Sequence, residues 1–366
     1  MKYSKYMKKK NYCVIGVMSG TSMDGIDISI VKSDGINNFK HLSSKYFSYS
    51  KSTLHLLSRC NNIFTKNKKS IELLYECEQS VTTDYISALK KFNKLNKQHK
   101  ADFISIHGQT VFHAPNLKST IQLCNSQLIK KSLNIPIVYD FRQKDILNGG
   151  EGAPLVPVFH RLISKIKNIA LPAYFVNIGG ISNITYIDRR VRFSAYDTGP
   201  GMCLLDQHVK LNKNKKFDVG GKYSEQGSID FKIVNKLMND KYFKLSPPKS
   251  LDRNYFSLKP FKTLDFNNAC SSISAFTALS IIREIKKRKY RSIILSGGGA
   301  QNKFIMSLLK KELGDAVIKS DKLNFETKFM ESQAFAYLGV RSIKKLAISF
   351  PSTTGVKRPV SGGVLI

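Results

Sequence analysis

The chain has 366 residues, 42% of them apolar, and carries a formal net charge of +33 from 59 Lys and Arg against 26 Asp and Glu. That length favours about two to three domains, each able to bury a core, and no apolar run approaches the roughly 18 residues of a membrane span. Only 12 of the basic residues are Arg against 47 Lys, they are spread along the chain, and no helix-turn-helix or RNA-binding signature accompanies them, so the charge reads as compositional drift and neither a membrane nor a nucleic acid is expected as partner.

Lys2 to Lys10 followed by Tyr12 to Met18 has the outline of a secretory leader, but the apolar part is short and no small-residue cleavage site follows. Val14 to Ser19 and Ile26 to Val31 instead read as two strands around a tight polar loop. In that loop Gly20 and Gly25 let backbone approach a ligand, Thr21 and Ser22 offer N–H and hydroxyl donors, and Asp24 and Asp27 offer carboxylates to a divalent cation. A solvated hairpin turn is the plainer reading of Gly-Thr-Ser alone. Further along, Ile71 to Phe92 is expected to be a helix. Tyr174 to Ile178 and Ile181 to Tyr186 read as a second hairpin around Gly179 and Gly180. Ile229 to Met238 and Ser271 to Lys287 read as helices. Ser292 to Ser296 reads as a strand leading into Gly297, Gly298 and Gly299, with a helix from Asn302 to Lys311 and another from Glu331 to Lys345. Alternating strands and helices make the chain α/β, and the two glycine-turn hairpins suggest two lobes of one architecture around a cleft. Cys13, Cys60, Cys77, Cys124, Cys203 and Cys270 are scattered without CxxC and read as reduced thiols of a cytoplasmic protein. Neither a Walker A motif nor GxGxxG occurs, so any nucleotide would be held on hairpin-borne sites.

Several motifs in order carry a resemblance across nearly the whole chain: Ile15 to Asp27, His107 to His113, Asp140-Phe141-Arg142 with Asp145, Gly149 to Pro157, Asn177 to Asn183, Tyr196 to Gly201, Gly297 to Gly299 with Asn302, and Glu331 with Ala334-Phe335-Ala336. Together they resemble the anhydro-N-acetylmuramic acid kinases. The resemblance implies a two-lobed actin/Hsp70/sugar-kinase (ribonuclease H-like) fold with an interlobe cleft. It implies an N-terminal lobe over 11–138 joined by 356–366 and a C-terminal lobe over 139–355. It also implies a cytoplasmic homodimer that uses ATP and Mg²⁺. The reaction it implies hydrolyses the 1,6-anhydro ring of anhydro-N-acetylmuramic acid and phosphorylates O6, in peptidoglycan recycling.

On that resemblance Asp197 is the general base for the attacking water and Glu331 supports it. Arg142 and His113 contact the sugar. The hairpin residues Gly20, Thr21, Ser22, Met23, Asp24, Gly25, Ile26 and Asp27, with Gly179, Gly180, Gly297, Gly298, Gly299 and Asn302, hold the nucleotide, and Asp24 holds the metal. Local readings stand beside these: Asp197 as a turn cap before Thr198-Gly199, Arg142 in a salt bridge with Asp140 or Asp145, His113 and His107 as structural histidines. The chain departs from the family pattern at Glu151, at Met202, where Asn is usual, and at Leu251, Asp252 and Asn254 after Ser250. A chaperone-like ATPase of the same fold is the alternative.

Overall fold

The computed structural model describes residues 9–20, 23, 25–65, 71–323 and 329–366, with backbone alone for 61–65. In chain order the strands are β1 (Tyr12–Ser19), β2 (Gly25–Ser33), β3 (Phe39–Ser48), β4 (Phe103–Ala114), β5 (Ser119–Leu123), β6 (Ile137–Tyr139), β7 (Ala173–Ile178), β8 (Ile181–Ile187), β9 (Phe193–Pro200), β10 (Ser292–Ser296), β11 (Val317–Lys319) and β12 (Val364–Leu365). Two compact units result, one of residues 1–162 with 329–366 and one of 163–328.

The first unit is built on a sheet of order β12-β6-β4-β1-β2-β3, with β5 on the far half of β4. β1 is buried along its whole length, as a continuous apolar run predicts for a strand covered on both faces. It pairs antiparallel with β2 and parallel with β4. The helix Met330–Ile343 lies directly on β1, because the facing positions are small. A Cβ on Gly16 would come within 2.0 Å of the Ser332 carbonyl oxygen. Ser29 and Ser332 hydroxyls bond at 2.6 Å, and the Ser105 hydroxyl donates to the Phe335 carbonyl at 2.5 Å. The core lies between the sheet and the helices Lys51–Thr65 and Ile71–Leu95, around Ile15, Val17, Ile28, Tyr85 and Phe92.

The second unit has a five-stranded sheet of order β11-β10-β7-β8-β9. β7, β8 and β9 form an antiparallel meander and β10 runs parallel to β7. Its core gathers Val176, Ile184, Leu205, Phe243, Ile281 and Leu295 against the helix Phe266–Ile285. The order β3-β2-β1-β4-β6 of the first unit and β9-β8-β7-β10-β11 of the second are the same path. The duplication read from the two glycine-turn hairpins is therefore present in both sheets.

Residues 139–162 and 329–355, placed by the sequence in the second lobe, belong to the first unit. The reason is tertiary: β6 pairs with β4, and the helix Met330–Ile343 seats on β1. The C-terminal segment 356–366, expected to join the first lobe, supplies β12, antiparallel to β6.

Candidate active site

In the second unit Asp197 sits within β9, not in a turn after it, because the strand continues to Pro200. The β8–β9 pairing slips between Ser182 and Asn183, opposite Thr198, and such a bulge re-aims the neighbouring side chain. The half-buried Asp197 carboxylate accepts the Leu251 backbone N–H at 2.9 Å, a contact from 54 residues away rather than a cap of its own turn. Its backbone is held on both sides: its N–H donates to the Lys249 carbonyl at 3.0 Å, and its carbonyl accepts the Tyr242 hydroxyl at 2.7 Å. Burial raises the carboxyl to about 7, against the Leu251 N–H and the Lys249 charge, which both lower it. A carboxylate balanced near neutral pH and held by its backbone is suited to taking a proton.

Around it are bare-backbone loops. The Gly179 and Gly180 carbonyls accept the N–H groups of Met202 and Gly201 at 2.8 and 2.9 Å, tying the β7–β8 turn to the start of the helix Cys203–Lys213. Gly297 has φ 84°, and a side chain there would strike Asn177, so the loop requires glycine. Gly298 is exposed, and among the described residues nothing lies within 4 Å of where its Cβ would be. Asn302 is buried as the N-cap of the helix Lys303–Leu313, its Oδ1 accepting from Ile305 at 3.1 Å, while its Nδ2 has no partner among the described residues. Met202 is a core residue beneath Gly299. Leu251 contributes its backbone N–H to Asp197 and its side chain to the core. Neither departure removes a polar side chain from the Asp197 contacts, since the groups that touch Asp197 there are main-chain.

In the first unit Thr21, Ser22 and Asp24 lie outside the described residues. Of the described residues next to them, Gly20 is held by its carbonyl, which accepts Met23 N–H at 3.2 Å and Gln109 Nε2 at 3.1 Å. Behind it, Tyr49 and Tyr85 hydroxyls donate to Ser19 at 2.8 and 3.0 Å, and Tyr49 also reaches Gln109. Gly25 is packed against Phe47 and Tyr46. Asp27 is half-buried in β2, opposite Met18 and Tyr46. Ile26 is fully buried in the core, so its side chain is unavailable to a ligand and only its backbone could serve the nucleotide.

A second cluster of the same unit surrounds Arg142, at the start of the short helix Gln143–Leu147. Its Nε donates to His107 Nε2 at 2.8 Å and its Nη1 to the Gly152 carbonyl at 2.6 Å. His107 Nδ1 in turn bonds the Gly108 carbonyl at 2.8 Å, which puts the ring proton on Nδ1 and leaves Nε2 as acceptor. Burial, then the Arg142 charge, pushes His107 well below its ordinary pKa, so the ring is neutral. Burial lowers Arg142 to about 10, with Glu331 and Asp145 opposing, and the guanidinium stays charged. No ion pair joins Arg142 to Asp140 or Asp145 among the described residues. Asp145 is committed to the Gly152 N–H and the Thr354 hydroxyl, both at 2.6 Å. Glu331 opens the helix Met330–Ile343, its carboxyl raised by burial against the Arg142 charge. His113 is exposed at the end of β4 and bonds the Thr120 hydroxyl at 3.0 Å. This unit thus brings Arg142, His107, Asp145 and Gly152 together and couples Glu331 to Arg142. Sequence reasoning left His107 as a turn residue and missed Lys249 and Tyr242, whose partners are distant in the chain.

A family model described as anhydro-N-acetylmuramic acid kinase matches residues 12–366. A curated relative of that name from Bradyrhizobium diazoefficiens is 36% identical over 359 residues, covering 96% of this chain and 98% of the relative. Another of that name, from Pelagibacter ubique, is 38% identical over 374 residues, covering 98% of this chain and 99% of the relative. A third, from Rhodopseudomonas palustris, is 37% identical over 359 residues, covering 96% and 98%.

Proposed function

The chain belongs to the anhydro-N-acetylmuramic acid kinase family, and from that premise we propose that it opens the 1,6-anhydro ring of anhydro-N-acetylmuramic acid with water while O6 takes the γ-phosphoryl group of ATP. The products are N-acetylmuramic acid 6-phosphate and ADP, and the reaction belongs to peptidoglycan recycling. The observation that carries the reading is Asp197: a half-buried carboxylate with its backbone fixed on both sides and its pKa raised to about 7.

Each residue then has a role. One water proton passes to an Asp197 oxygen as the water oxygen bonds to C1. The C1–O6 bond breaks, and its electron pair stays on O6, which bonds to the γ-phosphorus as ADP departs. With its carboxyl raised to about 7, Asp197 changes charge near neutral pH and in its ionised form accepts that proton. Arg142, charged and aimed by His107 and the Gly152 carbonyl, binds the lactyl carboxylate through its remaining N–H groups. His113 adds a sugar contact, and Glu331 supports the sugar or the water.

The nucleotide falls to the Gly20–Asp27 turn and to Gly179, Gly180, Gly297, Gly298, Gly299 and Asn302. Among the described residues the space over Gly298 is open and the Asn302 Nδ2 has no partner, which fits that role. Mg²⁺, assigned to Asp24, would offset phosphate charge when bound. The assembly is assigned as a homodimer in the cytoplasm, consistent with six free cysteines and with no described helix being long and apolar enough to cross a membrane. Incubation with ATP, Mg²⁺ and the anhydro sugar is expected to yield sugar 6-phosphate and ADP in equal amounts. ADP release without sugar phosphate would overturn the reading in favour of a plain ATPase.

A further inference from the structure

The charge that lowers the Asp197 carboxyl comes from a residue that the reaction itself does not require. Lys249 ends the stretch Pro247-Pro248-Lys249, and its ammonium is buried at 2% exposure. A buried ammonium is costly unless paired and hydrogen-bonded. Here Nζ lies 3.1 Å from Glu284 Oε1, on the fully buried face of the helix Phe266–Ile285. The Tyr242 ring lies 4.6 Å from it and the Tyr196 ring 5.9 Å. Glu284 also receives Lys287 from the surface side at 2.9 and 2.8 Å, so both of its oxygens are used.

Lys249 touches the candidate base through main chain as well. Its carbonyl accepts the Asp197 N–H, and two residues on, the Leu251 N–H reaches the Asp197 carboxylate. The short segment 249–251 is bonded to one residue of β9 at two points, while its one long side chain is bolted to the helix behind. Tyr242 closes the arrangement, its hydroxyl on the Asp197 carbonyl and its ring against the Lys249 ammonium.

We propose that Lys249, locked to Glu284, is the positioning residue for Asp197: it fixes the segment that presents the Leu251 N–H and supplies the positive charge that keeps the carboxylate available as an acceptor. The role rests on the reading of Asp197 as the base. Asp197 is faced by Lys249 from this segment and by Tyr242 from the turn Lys241–Lys244, and its pairing partner across β8 is neutral Asn183. Glu284, Lys287 and Arg283 stand behind Lys249 on the helix side. Among these the Lys249 ammonium is the cation that favours the ionised carboxyl, and burial opposes it.

The test is a titration of the Asp197 side-chain carboxyl by ¹³C NMR in the full-length protein without sugar or ATP, assigned by its absence in Asp197→Asn. Lys249→Met removes the charge and leaves Glu284 paired with Lys287. The titration should move up by about one pH unit, and Lys249→Arg should bring it back toward the parent value. In turnover, the acid limb of the kcat profile should move alkaline by the same amount, with KM for the sugar unchanged. Should Lys249→Met not fold, Lys249→Gln with Glu284→Gln replaces the buried pair by neutral amides, and the same upward movement is expected. An Asp197 titration identical to the parent's in either folded variant would overturn the proposal. A parent that titrates as expected but forms no sugar phosphate would overturn the functional reading instead.

Discussion

The two units share one strand path and differ in what they hang on it. The first extends its sheet with β5 and β12 and assembles its polar cluster from β4, the Arg142 turn, the Gly149–Pro154 segment and Thr354. There a permanently charged guanidinium is balanced by neutral acceptors, an imidazole and a carbonyl, while the nearby Asp145 is already engaged by its own hydrogen bonds. The second leaves β9 at its sheet edge and places beside the bulge there a carboxylate, Asp197, raised to about 7. One arrangement keeps its charge at every working pH and suits binding of an anion. The other changes charge near neutrality and suits proton transfer. A duplicated scaffold therefore does not duplicate chemistry: the hydrogen-bond partners around each ionisable group decide what it does.

That division can be broken at either end. Asp197→Asn keeps shape and hydrogen bonding but removes the basic oxygen, so kcat should fall about 10²–10⁴-fold with KM nearly unchanged. Its melting temperature should not drop. A carboxyl raised in the fold contributes stability that is full below the ordinary carboxylate range and is lost as pH rises through about 7. A neutral amide escapes that loss, so thermal melts at pH 8 should show the variant at or above the parent. Arg142→Met should act in the opposite parameter, raising KM for the sugar about 10–100-fold, the worth of a charged hydrogen-bonded contact, with kcat largely kept. A kcat-only defect in this variant would erase the contrast between the units.

Smaller effects sharpen it. Gly16→Ala forces a methyl against the Ser332 carbonyl and should cost about 1–3 kcal/mol, read by denaturant unfolding. The loss should sit in the first unit, with hydrogen exchange in β7 to β10 unaltered. Because His107 is neutral and Arg142 charged across the neutral range, KM for the sugar should be flat from pH 6 to 8 while kcat rises. Leu251→Thr should leave kcat within about twofold, since the contact to Asp197 is a backbone N–H that either residue supplies.

What the sequence disclosed follows the range of the forces involved. The β1–β2 hairpin, the helices starting at Ile71 and Met330 and the strand before Gly297 are local patterns, and they were legible to within a few residues. β3 was not, because Lys40, His41, Ser43, Ser44 and Lys45 give an edge strand no apolar signal. The unit boundary was misplaced because β6 and the helix Met330–Ile343 join the first sheet through partners far away in the chain. Asp197 was singled out by its motif, but its placement inside a strand was hidden by Thr198-Gly199-Pro200, which reads as a turn and is held in β9 by pairing with β8. The Lys249–Glu284 and His107–Arg142 pairs span 35 residues each, and no periodicity reports such contacts.

The coupled ring opening and phosphoryl transfer is most directly tested by a single turnover in ¹⁸O-labelled water, followed by mass spectrometry of the sugar phosphate. Water attack at C1 with Asp197 as base predicts one label on the C1 oxygen, none in the phosphate, and no labelled product from Asp197→Asn on the same time scale. Label in the phosphate group, or undiminished C1 labelling by Asp197→Asn, would contradict it.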